Sequence, residues 1–400
     1  MLSAFVQEPQ RNTPILADCE VAVVGGGIAG IAAALSAARA GAKTILLEQQ
    51  YALGGLATIG LVTIYLPLCD GNGQQVSFGI AQELLQLSVA LEGKDVVAQW
   101  KQNRISGRER RLECTYNPNI MALEAERLLQ EAGVQILYGA QVCDVVMQDG
   151  TIQTLILETR SGRSALAVRR VVDATGDAIV CRLAGENTAI FQQQNILAAW
   201  YYAAENGKFQ LHPLGACDNP DKYKTVEDQN RRQPRYEGLD FRELSRFTQD
   251  AHKTLMKDFL SKGIPSENHQ LAMIASIPQI RMTRRLAGAR ELDEPDTYVR
   301  FDDSIGLIGN WKHRGPVYEI PFSCLYGKKI RNLIAAGRCI SVTDTMWDNT
   351  RVIPACAVTG EAAGLAAAVC DDFGALDLNF LQNLLRQRGI PLHPEQLPEG

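Results

Sequence analysis

"VAVVGGGIAGIAAALSAARAGAKTILLEQQYALGG" (residues 21–55) is the stretch whose reading decides the fold. Cys19–Val24 is a short apolar run of β-forming residues and predicts a buried strand. Ile28–Ala40 is rich in Ala and Leu and predicts a helix. Lys43–Leu47 predicts a second strand, closed by Glu48. Between the first strand and the helix lies Gly25-Gly26-Gly27-Ile28-Ala29-Gly30. A G-x-G-x-x-G pattern is informative when it joins a strand to a helix inside a β–α–β unit, which is its setting here. Gly25 permits the tight turn out of the strand, Gly27 lets the backbone approach a pyrophosphate, and Gly30 lets the helix pack close to the strands. The helix N-terminus offers unpaired N–H groups and partial positive charge to phosphates. Glu48 follows Gly30 by 18 residues, where a carboxylate accepts hydrogen bonds from ribose hydroxyls and disfavours a 2′-phosphate.

The glycine loop does not by itself separate NAD from FAD. The next residues, "QQYALGGLATIG", bear on that choice. A Gly54-Gly55 doublet directly after the second strand lets the chain pass close to an extended cofactor, and Thr58 brings a hydroxyl within reach of phosphate or ribityl oxygens. NAD domains usually run from the second strand into ordinary helix.

Further along, Asn119–Ala132 predicts an amphipathic helix ended by Gly133, with a strand at Val134–Leu137. Val142–Met147 and Thr151–Glu158 flank the turn signal Asp149-Gly150, and another turn leads into Val171–Ala174. Residues 134–174 therefore read as a meander of strands attached to the nucleotide-binding sheet. "DATGD" ends it with small residues, Ala174 and Gly176, where a sheet meets a bound cofactor, and with Asp177 as a cap for the following helix. A plain strand-to-helix turn has the same pattern. Residues 185–325 differ in character: they hold most of the Tyr and Trp, a long polar stretch (218–238), a helix at Phe241–Lys262, and no second Gly-rich dinucleotide loop. They read as an inserted α+β substrate or cap domain. "NLIAAGRCI" (332–340) then predicts an apolar strand ending in Gly337-Arg338. In "TRVIPACAVTGEAAGLAAAVC" (350–370), Pro354 marks a helix start. Ala357, Gly360, Ala363 and Gly364 would let that helix lie close to the sheet. Its N-terminus either stabilises the negative charge that a reduced flavin carries at N1–C2=O or simply closes a core.

The fold class expected is α/β: a Rossmann-like FAD-binding domain with a β-meander, interrupted by an inserted α+β substrate or cap domain. The boundaries are 15–184 and 326–375 for the FAD-binding domain, 185–325 for the insert, and 376–400 for a C-terminal extension.

Composition narrows the function. With 46% hydrophobic and 21% charged residues, a net charge of -5 and no Lys/Arg block, nucleic acid is a poor partner. No apolar run is long enough to span a membrane, no signal peptide is evident, and the expected location is cytoplasmic. The ten cysteines include no C-x-x-C pair, so no metal or local iron–sulfur motif is expected and most thiols read as reduced and buried.

Taken together, "VVGGGIAGIAAALSAARAGAKTILLEQQYALGGLATIGLV", "VVDATGD", "IPQIRMTRRLAG", "GPVYEIPFSCLYG" and "NLIAAGRCISVTDTMWDNTRVIPACAVTGEAAGLAAA" resemble the FAD-dependent oxidoreductases. These belong to the broad glutathione-reductase-like and succinate-dehydrogenase-like flavoprotein group. More closely, the chain looks like the bacterial FAD-dependent oxidoreductases related to the flavin part of heterodisulfide reductase, from about residue 20 to 370. The resemblance implies FAD, and because no His or Cys sits in a position that demands a covalent link, noncovalent binding is expected. Its adenosine end would lie on Gly25, Gly27, Gly30 and Glu48, with Val142 backbone atoms at the adenine. Gly54 and Gly55 would pass the pyrophosphate and ribityl region, with Ala174 and Gly176 at the adenosine end. Gly337 and Arg338 would approach the pyrophosphate and ribityl chain, and Arg351-Val352 the ring. Ile28, Ala29, Gln49, Leu56, Ala57 and Asp177 complete the expected cofactor-binding set. The heterodisulfide-reductase relatives carry cysteine-rich cluster motifs, and this chain has none.

The flavin would supply the redox chemistry and the protein its binding and orientation. Arg281 and Arg284 are candidates to bind a substrate anion in fork geometry, or else pair with acidic neighbours. His313 is a candidate general acid or base, and Tyr318 a further catalytic candidate. Cys69 in "LPLCDG" would lie near the flavin, and no second cysteine stands at a C-x-x-C spacing from it. The leading expectation is hydride or electron transfer between a small-molecule substrate and FAD, with an unspecified electron donor or acceptor and a homodimer allowed. An electron-transfer subunit docking an iron–sulfur protein, and a monooxygenase or halogenase, stay open as alternatives.

Overall fold

The computed structural model describes residues 6–102, 111–215 and 234–398. Most of the polar stretch 218–238, and Cys217, lie outside the described residues. One mixed sheet organises the chain. Its order is Gln135–Tyr138, Thr44–Glu48, Ile15–Val24, Gly162–Asp173, Thr151–Thr159, Gln141–Gln148. The first four strands are mutually parallel and the last two return antiparallel, as the meander predicted. Leu333–Ala335 adds a short parallel strand beside Val171–Asp173.

Alternation explains why this sheet is buried on both faces. Val21, Val23 and Leu46 point into the core built around the helix Ile28–Arg39. Ala22, Val24, Ile45 and Leu47 point into a second core with Val142, Leu155 and Leu166 of the meander. The helix Ile28–Arg39 is buried almost all round, as is Ile353–Val369. The two pack so closely that a Cβ on Gly360 would meet the Ala29 carbonyl, and one on Gly364 the Ala33 carbonyl.

The inserted region contributes a three-stranded antiparallel sheet with Tyr201–Glu205 between Lys208–His212 and His269–Ile274. The helix Phe241–Ser261 covers it through Ala251, Leu255 and Phe259, at i,i+4 spacing. Asp240 caps this helix by accepting from the Arg242 and Glu243 N–H groups. The hairpin Ser304–Gly309/Val317–Pro321 instead packs Ile305, Ile308, Tyr318 and Ile320 into the core of the helix Ile28–Arg39.

Two local expectations are corrected. The strand expected to end in Gly337-Arg338 stops at Ala335, because Gly337 turns the chain at φ +69° into a 3₁₀ turn. The helix that Pro354 marks runs as expected, over Ile353–Val369, and a short helix, Asp344–Thr350, precedes it at an 88° bend. Asp177 is not a helix cap. The helix Ile179–Leu183 has no side-chain cap, Thr175 Oγ1 accepts from the Ile179 N–H, and Asp177 accepts from Thr283 Oγ1 at 2.6 Å. Among the described residues no single helix is long and apolar enough to cross a membrane, and the bent apolar pair is core.

Glu361 is a buried acid on the helix Ile353–Val369, and its Oε2 accepts from the Ile80 N–H at 2.7 Å. Burial pushes its pKa from 4.5 up to about 7. Its stabilising contribution is complete below pH 4.5 and is lost as pH rises through about 7. Ionisation then costs up to about 3 kcal/mol. Glu361→Gln keeps an acceptor for Ile80 and cannot ionise. In thermal melts it is expected to match the parent near pH 4 and to be more stable at pH 8.

Candidate functional site

A cavity of about 360 Å³ opens at the carboxyl edge of the parallel strands. Val24, Leu47, Glu48, Ala174 and Ala336 bring four strand ends to it. This is where open α/β sheets bind ligands. Gly25 turns out of the first strand at φ +101°, and a Cβ there would lie 2.5 Å from the Ala174 carbonyl oxygen. Gly27, by contrast, has nothing within 4 Å of such a Cβ. Its bare backbone faces open cavity, the space a pyrophosphate needs. Gly30 does not line the cavity; it lets the helix lie against the Gly25 carbonyl.

Glu48 is fixed at the end of the second strand. Its Oε2 accepts from the Gly26 N–H and its Oε1 from the Gln50 N–H, both at 2.7 Å. Burial raises its pKa, and those N–H groups oppose the shift. Gly54, at φ +98°, donates to the Gly26 carbonyl at 2.7 Å, which draws the Gly54-Gly55 loop against the glycine turn. Two helix N-termini then meet at the cavity: Gly27-Ile28-Ala29 of one, and Val352, Ile353 and Cys356 of the other. Each presents partial positive charge.

The inserted region roofs the cavity with residues 276–283, which are bonded along their length. The Ser276 N–H donates to Ile59 O at 2.9 Å, and Gln279 Nε2 to Gly60 O at 2.7 Å. Arg338 Nη1 donates to the carbonyls of Ile280 and Arg281 at 3.0 and 2.7 Å, and Thr283 Oγ1 to Asp177. The Arg338 guanidinium lies directly over Gly176, whose φ of +81° and missing side chain leave room for it. The residues fit an extended dinucleotide: a Gly27 backbone open to the cavity, an acidic ribose acceptor, and two helix N-termini.

The family model for FAD dependent oxidoreductases matches residues 20–198 and 188–385. The chain belongs to the FAD-dependent oxidoreductase family. This oxidoreductase uses FAD as its cofactor. No curated protein matches the sequence. Among solved structures, it is similar to the 3-ketosteroid-delta4-(5alpha)-dehydrogenase from Rhodococcus jostii RHA1 at 15% identity, TM-score 0.44, covering 90% of this chain and 98% of that one. A geranylgeranyl bacteriochlorophyll reductase-like protein from Thermoplasma acidophilum gives 12% identity, TM-score 0.44, and coverage of 93% and 82%. The Mycobacterium smegmatis Sdh1 complex gives 15% identity, TM-score 0.41, and coverage of 96% and 74%.

Most of the expected cofactor residues of this FAD-dependent oxidoreductase line the one cavity. Besides those named above, Gln49, Leu56, Ala57, Val142, Gly176, Asp177 and Arg351 do so. Gly337 lies behind the wall, packed on Ala29 and Cys356. Thr58 is buried and donates to the Leu53 carbonyl, holding the loop rather than lining the cavity. Of the four catalytic candidates only Arg281 lines the cavity; it is buried, with its guanidinium 4.8 Å from the Trp200 ring. Arg284 is in a strand paired with Thr188–Ile190, its pKa lowered by burial and by Arg182. His313 is exposed in a hairpin loop, and Tyr318 is in the core, 3.5 Å from Asn310 Nδ2. Neither these two nor Arg284 lines the cavity. Cys69 is also outside it, buried, with its pKa raised by burial.

Sequence reasoning missed several parts of the wall, among them Ile277, Pro278 and Ile280 of the roof, Cys356, and the trio Val62, Ile64 and Leu66. The trio left no alternation in the sequence, since "LVTIYL" (61–66) is apolar but for Thr63; its two faces show only in the fold, where Leu61, Thr63 and Tyr65 are buried in alternation with it.

Gly25 and Gly27 make separable predictions. Gly25→Ala strains a left-handed backbone position and meets the Ala174 carbonyl, costing about 1–3 kcal/mol. It is expected to lower both the melting temperature and the FAD-to-protein ratio. Gly27→Val projects into open space and is expected to lower the FAD ratio, with the apoprotein melting temperature nearly unchanged.

Proposed function

We propose that FAD lies extended along the cavity, noncovalently, with adenosine at Glu48 and Val142 and the ring against Val352 and Arg351. Hydride or electrons then pass between this FAD and a small-molecule substrate. The observation that carries the reading is the meeting of two helix N-termini at one cavity, with the Glu48 carboxylate on its wall beside the glycine turn. Bound FAD supplies the two-electron chemistry.

The chain's own residues bind and shield. Glu48, held by two backbone N–H groups, has further lone pairs for ribose hydroxyls. The Gly27 turn and its helix N-terminus take the pyrophosphate. The helix Ile353–Val369 aims its positive end at the ring, a favourable place for charge gained on reduction. Val62, Ile64 and Leu66, with Ile277 and Pro278, give that region apolar walls that exclude water. Arg281 is the cationic group of the roof that we assign to substrate or phosphate. Cys356 supports a noncovalent flavin: burial pushes its thiol up to about 12, and the thiolate is the reactive form. The division into FAD-binding segments 15–184 and 326–375 and a substrate domain 185–325 belongs to the same reading. Its support is that the roof comes from the insert and the floor from both flanking segments.

The test is an absorbance spectrum of the purified protein before and after acid precipitation. Flavin bands whose colour moves to the supernatant, with the mass of FAD, are expected; a yellow pellet would contradict noncovalent binding. Anaerobic bleaching by a panel of small molecules then identifies the substrate, and a panel that bleaches nothing while a reduced iron–sulfur protein does would overturn the small-molecule assignment. Glu48→Ala removes the ribose acceptor and leaves two buried N–H groups without this partner. It is expected to raise the Kd for FAD about tenfold or more in a fluorescence titration.

A further inference from the structure

In the sequence "GNWKHRG" (309–315) it is Lys312, not His313, that reaches a buried charge behind the cavity wall. Asp348, in the helix Asp344–Thr350, is completely buried. Its Oδ1 accepts from Arg351 Nε at 3.0 Å and Nη2 at 2.6 Å. Its other oxygen, Oδ2, is ion-paired with Lys312 Nζ. The backbone is tied to the same place, since Trp311 Nε1 donates to Asp348 O at 2.9 Å and Lys312 N to Asn310 Oδ1 at 2.9 Å. The Lys312 ammonium is also 4.8 Å from the Trp311 ring. Lys312 does not line the cavity, whereas Arg351 does, at the bend that starts the helix Ile353–Val369.

The charges explain why one carboxylate holds two cations. Asp348 alone would cancel the charge that Arg351 brings to the cavity wall. Lys312 on the other oxygen adds a positive charge beside that pair. Away from bulk water a unit charge is only weakly screened, and two-electron reduction adds negative charge to a flavin ring.

We propose that Lys312 and Asp348 are positioning residues that, through Arg351, set how strongly the cavity favours reduced over oxidised FAD. The inference rests on the ring lying against Arg351, as proposed above. Lys312 strengthens the field of Arg351 by occupying its counter-ion; Asp348 fixes Arg351 in place and moderates that field. Lys312 and Asp348 therefore act with opposite sign.

The experiment is the midpoint potential of FAD bound to the holoprotein, by dithionite reduction against a reference dye. Parent, Lys312→Met, Lys312→Arg, Asp348→Asn and Arg351→Met are compared, with FAD occupancy checked by absorbance. Lys312→Met is expected to lower the reduced-to-oxidised ratio at fixed potential about tenfold, which is about 30 mV for a two-electron couple. Lys312→Arg should restore the parent value and Asp348→Asn should shift it the other way. If Lys312→Met binds FAD at the parent potential while Arg351→Met lowers it, the role of Lys312 is overturned and the ring placement stands. If Arg351→Met also leaves the potential unchanged, the ring placement fails and takes the inference with it. Shifts of the same sign in Lys312→Met and Asp348→Asn would reduce the cluster to a structural one. Should Asp348→Asn fail to fold, the contrast between Lys312→Met and Lys312→Arg decides.

Discussion

Gly360 and Gly364 let the helix Ile353–Val369 lie on the backbone of the helix Ile28–Arg39, and the architecture of the site depends on that approach. Any side chain at either glycine would meet a carbonyl oxygen of the partner helix. Because the two run so close, their N-termini emerge together at the carboxyl edge of the sheet. One positive end meets the space facing Gly27 and the other the space facing Val352. A single N-terminus contributes about 0.3–1 kcal/mol toward an anion, more where partly buried, so two at one cavity matter for a ligand that is anionic along its length.

The remaining parts of the site follow from this placement. The strand ends carry Glu48 and Ala174 to one rim. Gly54 ties the following loop to the glycine turn, and the alternating chain from Leu61 to Leu66 forms a wall. The insert then closes the top. Its roof is joined to the flanking segments through Ile59, Gly60, Arg338 and Asp177, a hydrogen-bonded seam across the cavity.

Much of this was legible in the sequence, because glycines and strand ends leave local marks. Gly25, Gly27, Gly30, Glu48 and the Gly54-Gly55 doublet could be read from spacing alone, and the meander from its turn signals. The missed features depend on tertiary structure. Gly337 cuts a predicted strand short because its left-handed backbone turns the chain. Pro354 marked the start of the last long helix, but the short helix Asp344–Thr350 before it and the 88° bend between them left no periodicity to read. Asp177 has the chemistry of a cap but is drawn to Thr283, a residue of the insert distant in sequence. His313 was singled out for its side-chain chemistry, while its neighbour Lys312 reaches a buried carboxylate that no local pattern pairs it with. Side-chain type shows what a residue can do, and only the fold shows which partner it meets.

A crystal structure of the protein with bound FAD tests the central claim most directly. The account predicts pyrophosphate density within hydrogen-bond distance of the Gly27 turn, ribose hydroxyls on Glu48, and the isoalloxazine ring against Val352 and Arg351 beneath residues 277–280. A ring at the Glu48 end, or a pyrophosphate away from the Gly25–Gly30 turn, would contradict it.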